Sequence, residues 1–487
     1  MLNDMTYYTV KVNNNDNTAV LRAAAGTLLA DALSENGFAV PAACGRRGTC
    51  GKCAVRLISG SFSGAAADEN GMIKSCKAVI CSDAEIETRF EQGSGLTQYA
   101  SAGQNTAGAS GIAIDIGTTT VAAEFLYENG EKKTASCLNP QSAFGADVIS
   151  RIGACADGHL EEQTRLIRDC VNGLILKLSP DKAPAQAVVS GNTTMLHIFC
   201  GVSPESMGAA PFTPQFTGKR IYNGADIGIN AEKVTVLPSV SAFIGSDITA
   251  GIYALGLHKT DKKVFLADLG TNGELVFSDG GKLYCTSTAA GPALEGACIE
   301  CGSGGVSGAI NRVYKQNGML RYTTIGDTLP CGICGAGLAD AIAVMLDEGA
   351  IDETGYLEDD YYIADNVYIT PKDIRQFQLA KSAVCSGIDT LLESVGIKKD
   401  AVDEIFIAGG LGYYMEPQSA FRAGILPRFS SGRVTAAGNT SLRGAAMCIG
   451  RPDIADEMEE LTKTCSLIDL GGNPKFSMLF AENMMFE

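Results

Sequence analysis

Residues 112–121 read Ile112-Ala113-Ile114-Asp115-Ile116-Gly117-Thr118-Thr119-Thr120-Val121, an apolar strand with an acidic residue near its end that runs straight into a Gly/Thr turn. The same order returns in Leu266-Ala267-Asp268-Leu269-Gly270-Thr271-Asn272-Gly273-Glu274-Leu275. Turns of this kind present backbone N–H groups and hydroxyls to phosphates. The carboxylate before the turn can hold Mg²⁺ through water or position an attacking water. A single strand that ends in a Gly turn is common in proteins of many kinds, whereas two such stretches predict a phosphate-binding cleft between related lobes.

A third apolar strand, Ile405–Ala408, ends in Gly409-Gly410-Leu411-Gly412. Helical stretches such as Leu338–Glu348 and Asp373–Val395 lie between the strands. This alternation of strands and helices predicts an α/β architecture.

The three turns resemble the phosphate-1, phosphate-2 and adenosine motifs of the superfamily that contains acetate and sugar kinases, Hsp70 and actin. The resemblance implies a two-lobed actin-like (ribonuclease H-like) α/β body that binds ATP and Mg²⁺. The stretch Gly335–Asp340 is similar to the second connecting helix of that superfamily. The cofactor-binding residues that the resemblance implies are Gly117, Thr118, Thr119, Thr120, Gly270, Thr271, Asn272, Gly273, Gly409, Gly410 and Gly412.

Three carboxylates are candidates for catalysis, namely Asp115, Asp268 and Asp247. Asp247 follows the apolar run Val236–Ile244, so it could be a general base or a Mg²⁺ partner, and it could equally cap the helix that begins there. Glu274 is either a carboxylate of the cleft or a charge on an edge strand. The sequence alone does not decide which carboxylate positions the attacking water.

Cys44, Cys50 and Cys53 have the spacing C-x5-C-x2-C. The plant-type [2Fe–2S] pattern is C-x4-C-x2-C with a distant fourth cysteine, so the first gap here is one residue longer. Zinc usually takes paired C-x2-C knuckles, and this region has one knuckle with single cysteines around it. The spacing therefore favours a [2Fe–2S] cluster, with Cys76 or Cys81 as its fourth ligand.

The stretch Ser75–Thr88 resembles the C-terminal segment of plant-type ferredoxins, and that likeness selects Cys76 as the fourth ligand. It also implies a small β-grasp, ferredoxin-like domain at the N-terminus. The segment 91–110 is small and polar without a periodic apolar face, which is typical of a flexible linker. The expected domains are 1–90 (ferredoxin), 91–110 (linker), 111–262 (lobe I), 263–450 (lobe II) and 451–487 (C-terminal extension).

The composition excludes several classes of protein. The chain has 487 residues, 17 cysteines and a formal net charge of −17. The sequence has no Lys/Arg cluster of the kind that binds nucleic acid. No apolar run is long enough to span a membrane, and the polar N-terminus does not resemble a signal peptide. We therefore expect a cytoplasmic protein whose cysteines are metal ligands and buried thiols instead of disulfides.

A ferredoxin domain, a linker and this body together resemble one family, the reductive activators of corrinoid proteins, over nearly the whole chain. Further stretches that carry the resemblance are Asn139-Pro140-Gln141, Gly145–Ile152, Ser190–Met195, Gly291–Ala297 and Asn473–Phe476. The resemblance implies ATP-dependent transfer of one electron from the cluster to a corrinoid methyl-carrier protein, which converts Co(II) to Co(I). It also implies a low-potential electron donor and a homodimer.

The implied reaction is uphill. Plant-type clusters lie near about −400 mV, and the Co(II)/Co(I) couple is expected to lie lower. For one electron, each deficit of about 59 mV costs a factor of ten. ATP can offset the deficit only through its differential affinity for two states of the complex.

Three other functions remain open at this point. A small-molecule kinase would share the superfamily, although it has no evident use for a ferredoxin domain. An ATP-driven activator of another metalloenzyme would keep the electron transfer and change the client. An Hsp70-like binding module with a redox sensor would reduce no client.

Four further cysteines form two C-x2-C pairs, Cys298 with Cys301 and Cys331 with Cys334. Their spacing alone would allow a second metal site. Each pair lies in a Gly-rich turn, so reduced structural thiols are the favoured interpretation, and a redox switch is a third possibility.

Overall fold

The computed structural model describes residues 6–14, 17–36, 38, 40, 46, 48–49, 51–88, 90, 110–412, 415–429 and 433–486. Two predicted cluster ligands, Cys44 and Cys50, and all but the last residue of the predicted linker lie outside these residues. The chain divides into two compact units, Met1–Leu96 with Pro140–Arg151, and Thr97–Asn139 with Ile152–Glu487.

The first unit contains a small mixed sheet with one helix. Its elements are β1 (Tyr7–Asn14), β2 (Asn17–Ala24), α1 (Leu29–Glu35), β3 (Ala54–Ser59), β4 (Phe62–Ser63), β5 (Met72–Lys74), β6 (Val79–Ile80) and β7 (Ala84–Glu87). The sheet order is β2-β1-β7-β3-β5, and β1 runs parallel to β7. Leu29 and Leu33 of α1 are buried against Val10 and Ile86 of the sheet. This is the predicted β-grasp fold, which is thereby confirmed.

The second unit contains two six-stranded sheets. The elements between the first unit and the second sheet are β8 (Gly111–Ile116), β9 (Thr120–Leu126), β10 (Lys132–Leu138), α2 (Val148–Ala154), α3 (Leu160–Leu178), β11 (Gln186–Gly191), α4 (Thr193–Cys200), β12 (Arg220–Asn223), β13 (Lys233–Val236) and α5 (Ser246–Leu255). Helix α2 crosses the boundary between the units, because its residues up to Arg151 belong to the first. The first sheet, in lobe I, has the order β10-β9-β8-β11-β13-β12.

The second sheet, in lobe II, is interrupted in sequence by a helical region with small sheets. The strands are β14 (Lys263–Leu269), β15 (Gly273–Asp279), β16 (Lys282–Thr288), β17 (Ala309–Gln316), β18 (Met319–Thr324), β19 (Gly332–Ile333), β20 (Tyr361–Ala364), β21 (Val367–Ile369), β22 (Glu404–Ala408), β23 (Arg433–Gly438) and β24 (Ser466–Leu467). The helices are α6 (Gly335–Glu348), α7 (Pro371–Ser394), α8 (Gly409–Gly412), α9 (Pro417–Arg422), α10 (Thr440–Met447), α11 (Pro452–Thr462) and α12 (Pro474–Glu482). The sheet order is β23-β22-β14-β15-β16-β24.

The two sheets share one topology. In each, three consecutive antiparallel strands are followed by two strands parallel to the first, giving β10-β9-β8-β11-β13 and β16-β15-β14-β22-β23. Parallel strands end at the same edge of a sheet, so the turns after β8, β14 and β22 lie at the carboxyl ends of their sheets. The predicted two-lobed α/β body is confirmed.

Helices α10 and α11 return to the sheet of lobe I. Leu442, Ala445 and Ile449 are buried in one cluster with Ala113 and Val188 of that sheet. Helix α10 also lies directly on α5, because a Cβ atom on Gly444 would fall 2.3 Å from the backbone oxygen of Ala250. The face of the sheet opposite to this cluster is covered by α3 and α4. Thus the segment that follows β23, which falls within the predicted bounds of lobe II, packs on the sheet of lobe I.

None of the helices in the described part of the chain combines the length and apolar character that crossing a bilayer requires.

Candidate functional site

The first phosphate turn, residues 117–120, is closed on itself and held by an asparagine. The Gly117 N–H donates to the backbone oxygen of Thr120 at 2.9 Å. The fully buried Asn139 donates its side-chain amide to the oxygen of Gly117 at 2.8 Å and its backbone N–H to the oxygen of Thr119 at 2.8 Å. The backbone oxygens of Gly117, Thr119 and Thr120 are thereby paired inside the protein.

Asn192 holds the same turn from the end of β11. Its side-chain oxygen accepts from the Met195 N–H at 2.9 Å and caps α4. Its side-chain amide donates to the hydroxyl of Thr118 at 3.0 Å. One side chain therefore starts a helix and fixes a residue of the phosphate turn.

Asp115, at the end of β8, is held by two residues from the start of α10. The Asn439 amide donates to Oδ2 at 2.8 Å, and the Ser441 hydroxyl donates to Oδ1 at 2.7 Å. Asn439 also caps α10 by accepting from the Leu442 N–H at 2.7 Å. Burial raises the pKa of Asp115, while the hydrogen bonds from Ser441 and Asn439 act in the opposite direction.

The second and third turns meet beside Asp268. Gly270 closes the second turn by donating its N–H to the oxygen of Asn272 at 2.9 Å. Gly409, the first residue of the third turn, has a φ of +83°, and a Cβ there would lie 2.6 Å from the oxygen of Leu269 and 2.7 Å from Oδ1 of Asp268. Only glycine fits this conformation and this close approach.

Carboxylates dominate the charge of the cleft. Burial, followed by the charge of Asp115, raises the pKa of Asp247 to about 7. Burial, followed by the charges of Asp247, Asp115 and Glu295, raises the pKa of Asp268 to about 8. Burial and its neighbours Asp247 and Asp268 also raise the pKa of Glu274 well above its usual range. Such a set of mutually repelling oxygens fits a divalent cation.

The cation would be held through water. Within the described ranges, no three His, Cys, Asp or Glu side chains gather in a group that could hold a metal ion. Mg²⁺ usually keeps several of its waters and takes one or two carboxylates together with phosphate oxygens. The carboxylates of the cleft therefore fit Mg²⁺ that arrives with a nucleotide.

The carboxylates and turns line one cavity of about 140 Å³. This volume is below the roughly 300–1,000 Å³ of whole ligand pockets, so it fits the phosphate end of a nucleotide. The predicted residues that line it are Asp115, Gly117, Thr118, Thr119, Thr120, Asp247, Asp268, Gly270, Thr271, Asn272, Gly409 and Gly410. Gly273, which begins β15, is not among the lining residues. Gly412 ends α8.

The structure shows where Asp247 and Glu274 lie, which the sequence left open. Asp247 is not the N-cap of α5, which is Gly245; it lies in the first turn of that helix, accepts a hydrogen bond from the Ile248 N–H at 2.8 Å and lines the cavity. Glu274 lines the cavity from β15, an inner strand of its sheet, so it is not an edge-strand charge. The roles assigned to individual site residues stay predictions.

Five polar residues of the site were not among the predicted site residues, although three of them lie in stretches that carry the family resemblance. The five are Asn139, Asn192, Glu295, Asn439 and Ser441. A signal was present for two of them, because Gly191-Asn192-Thr193 and Gly438-Asn439-Thr440 repeat the same tripeptide at the end of a strand. Each of these asparagines caps a helix; Asn192 also donates to Thr118 in the turn after β8, and Asn439 donates to Asp115 near the end of β8.

In the first unit, Cys53 and Cys76 lie together. Both are almost completely buried and share a small cluster with Ala30, and the Ser75 N–H donates to the oxygen of Cys53 at 3.1 Å. Cys81 is exposed, and its thiol lies 3.5 Å from the backbone oxygen of another loop. This arrangement supports Cys76 over Cys81 as a cluster ligand, and the pair fits a thiolate-bound cluster.

The four cysteines of the two C-x2-C pairs have different surroundings. Cys298 and Cys331 are exposed, Cys301 is half-buried with its thiol 3.8 Å from the oxygen of Asn366, and Cys334 is buried at the N-cap of α6. Burial raises the pKa of the Cys334 thiol. Among the described residues, these cysteines do not form a group that could hold a metal ion.

Comparison with protein-family models gives three matches along the chain. The 2Fe-2S iron-sulfur cluster binding domain matches residues 12–81. The RACo middle region matches residues 110–260, and the C-terminal domain of RACo, described as the ASKHA domain, matches residues 262–487. The boundaries of the predicted domains themselves stay a prediction.

Known relatives agree with these matches. The corrinoid activation enzyme RamQ of Eubacterium limosum is 35% identical over 422 residues, covering 77% of this chain and 70% of the relative. The [Co(II) methylated amine-specific corrinoid protein] reductase of Methanosarcina barkeri is 24% identical over 392 residues, covering 72% of each. A solved structure titled "Reductive activator for corrinoid,iron-sulfur protein" superimposes with a TM-score of 0.72 at 25% identity, over 98% of both chains. The chain therefore belongs to the family of reductive activators of corrinoid proteins.

Proposed function

We propose that this chain uses ATP to deliver one electron to the cobalt of a corrinoid methyl-carrier protein, converting Co(II) to Co(I). The observation that carries the proposal is the union, in one chain, of a ferredoxin-type domain and a cleft whose two phosphate turns face each other across a carboxylate cluster. Likeness over nearly the whole length to a reductive activator supports the same function.

The cofactors follow from the residues that the chain offers. Cys44, Cys50, Cys53 and Cys76 would hold a [2Fe–2S] cluster, which supplies one-electron chemistry when bound. The phosphate turns would bind ATP, with Mg²⁺ held through water by the cleft carboxylates. Asp115, Asp247 and Asp268 would orient these waters or accept a proton from the water that attacks the terminal phosphate.

The partners are inferred from chemistry and resemblance. A low-potential protein or chemical donor must reload the cluster after each transfer. The resemblance to the family supports a homodimer, and the 17 cysteines favour a reducing compartment, the cytoplasm. ATP would act by stabilising a complex in which the gap to the Co(II)/Co(I) couple is smaller.

The test is reduction of a Co(II) corrinoid protein by the pre-reduced full chain, followed by absorbance. We expect the Co(I) band to appear with Mg²⁺ and ATP and to be absent with ATP omitted. The Cys76→Ser variant should fail for lack of an intact cluster, while Cys81→Ser should behave as wild type. Reduction that proceeds equally without ATP would contradict the proposed role of the nucleotide.

A further inference from the structure

One carboxylate joins the two phosphate turns. Oε2 of Glu295 accepts a hydrogen bond from the Thr271 hydroxyl at 2.5 Å and another from the Thr119 hydroxyl at 3.2 Å. Thr271 belongs to the second turn, in lobe II, and Thr119 to the first turn, in lobe I. We call these two hydrogen bonds the Glu295 bridge.

The bridge has a fixed support on the side of lobe II. Glu295 ends a short 3₁₀ helix, Pro292–Glu295, whose Ala293 and Leu294 are buried in the core of that lobe. Gly291 and Gly296 flank the helix with φ of +77° and +76°. The carboxylate is thus carried by an anchored turn, and its contact with Thr119 connects that turn to the other lobe.

The carboxylate also lies over the backbone of the second turn. A Cβ atom built on Gly270 would be 3.7 Å from Oε1 of Glu295. The side chain therefore lies where the N–H groups and hydroxyls of the turn would meet phosphate oxygens. A carboxylate and a phosphate are both anionic, so they repel at such distances, all the more in a cleft with several other carboxylates.

We propose that Glu295 competes with the nucleotide's phosphates for the hydroxyls of Thr119 and Thr271. In the nucleotide-free protein the bridge holds the two turns together, and phosphate binding replaces it. Glu295 is then a positioning residue that lowers the affinity for nucleotide and links phosphate binding to the contact between lobes. The proposal rests on the proposed function only in that the cleft binds Mg²⁺ and ATP.

The test uses Glu295→Gln in the full chain. Glutamine keeps the shape and one acceptor oxygen but removes the charge. We expect this variant to bind a non-hydrolysable ATP analogue with Mg²⁺ about tenfold more tightly than wild type, measured by titration calorimetry. Glu358→Gln, which changes an exposed glutamate of lobe II, is the matched control and should bind as wild type does.

Hydrogen exchange without nucleotide gives a second measurement. Glu295→Ala removes the bridge, so amides in residues 117–120 and 270–273 should exchange faster than in wild type, while the core of lobe II keeps its protection and so reports a folded protein.

Two results would overturn the proposal and are distinguishable. If wild type binds the analogue and Glu295→Gln binds it equally or more weakly, Glu295 does not compete with phosphate. If wild type binds no analogue at all, the proposed nucleotide function fails together with this inference.

Discussion

The two lobes end their first strands alike but surround the last carboxylate differently. Asp115 and Asp268 each precede an apolar residue, a glycine and a threonine on topologically equivalent strands. On the antiparallel neighbouring strand, the residue opposite Asp115 is Ala122, whereas the residue opposite Asp268 is Glu274. One carboxylate therefore faces a methyl group and the other faces a second carboxyl.

Their hydrogen bonds differ as well. Asn439 and Ser441 each donate to one oxygen of Asp115. Among the described residues, no side chain donates a hydrogen bond to Asp268, and burial with neighbouring carboxylates raises its pKa to about 8. A general base works best when its pKa is near the working pH. We infer that Asp268 accepts the proton of the attacking water and that Asp115 is a fixed anchor for waters of the cation.

The largest effect expected is that of Asp268→Asn. The amide cannot accept a proton, so ATP hydrolysis should fall by about 10²–10⁴-fold, the usual contribution of a general base. Binding of the non-hydrolysable analogue should persist, and the cluster spectrum should not change. Phosphate release in steady state measures the loss, with Asp279→Asn on the adjacent strand as control. Turnover close to wild type would assign the base to another carboxylate.

Asp115→Asn should reduce hydrolysis less than Asp268→Asn does, because the position contributes orientation and charge, not proton transfer. The variant places an NH₂ group, in place of an acceptor oxygen, against one of the two donors, Asn439 or Ser441. One hydrogen bond to the side chain at position 115 is therefore lost, and that side chain is held less firmly. The Mg²⁺ concentration for half-maximal hydrolysis should rise. A loss larger than that of Asp268→Asn would reverse the two assignments.

Ser441→Ala tests the anchor without touching a carboxylate. It removes the hydroxyl that donates to Asp115 and that also lies 2.9 Å from Oγ of Ser190. A hydrogen bond to a charged acceptor contributes about 1.5–3 kcal/mol, so the midpoint of denaturant unfolding should decrease accordingly. Thr440→Ala is the matched control, because the neighbouring hydroxyl of Thr440 is buried and has no hydrogen-bond partner among the described residues. Equal destabilisation by both variants would show that Ser441 contributes through packing alone.

The smallest effect expected is the dependence of stability on pH. Asp268 has a folded-state pKa of about 8, above its ordinary 3.8, so the folded state binds this proton more tightly than the unfolded state does. Its contribution to stability is complete below about pH 4 and is lost as the pH rises towards 8. The Mg²⁺-free, nucleotide-free protein should therefore melt at a lower temperature at pH 8 than at pH 6.

Asp268→Asn should reduce this decrease in melting temperature between pH 6 and pH 8, although Asp247 and Glu274 titrate with Asp268 as one cluster. Asp115→Asn should leave most of the decrease in place. A melting temperature that rises over the same interval would exclude a raised pKa at Asp268.

The local turns of the site could be predicted from the sequence, whereas the residues that reach the site from distant parts of the chain could not. The turns after β8 and β14 were predicted because a strand followed by glycine and hydroxyl residues specifies its own backbone geometry. Asn439, Ser441 and Glu295 were missed because their targets lie far along the chain, and each has an adequate local role in a cap, a first helical turn or a short 3₁₀ helix.

The same limit applied to the fold. The β-grasp domain and the two lobes were expected from the resemblance of Ser75–Thr88 and of the three turns to known families, with strand and helix ends close to those predicted. That α10 completes the sheet of the other lobe did not follow, because an amphipathic helix shows that it has an apolar face but not which surface will cover it. Asp247 stayed ambiguous for a related reason, since a carboxylate in a first helical turn already has a local explanation.

The hydrogen bonds from α10 to Asp115 also bear on the order of events during synthesis. Asn439 lies 324 residues after Asp115, and Ser441 lies 326 residues after it. At typical rates of translation, about 5–20 residues per second, the interval between them lasts on the order of 15–65 s. The sheet of lobe I emerges early, but Asp115 acquires these two partners only after residues 439 and 441 have been made. A nascent chain that has not yet reached these residues therefore lacks both hydrogen bonds to Asp115.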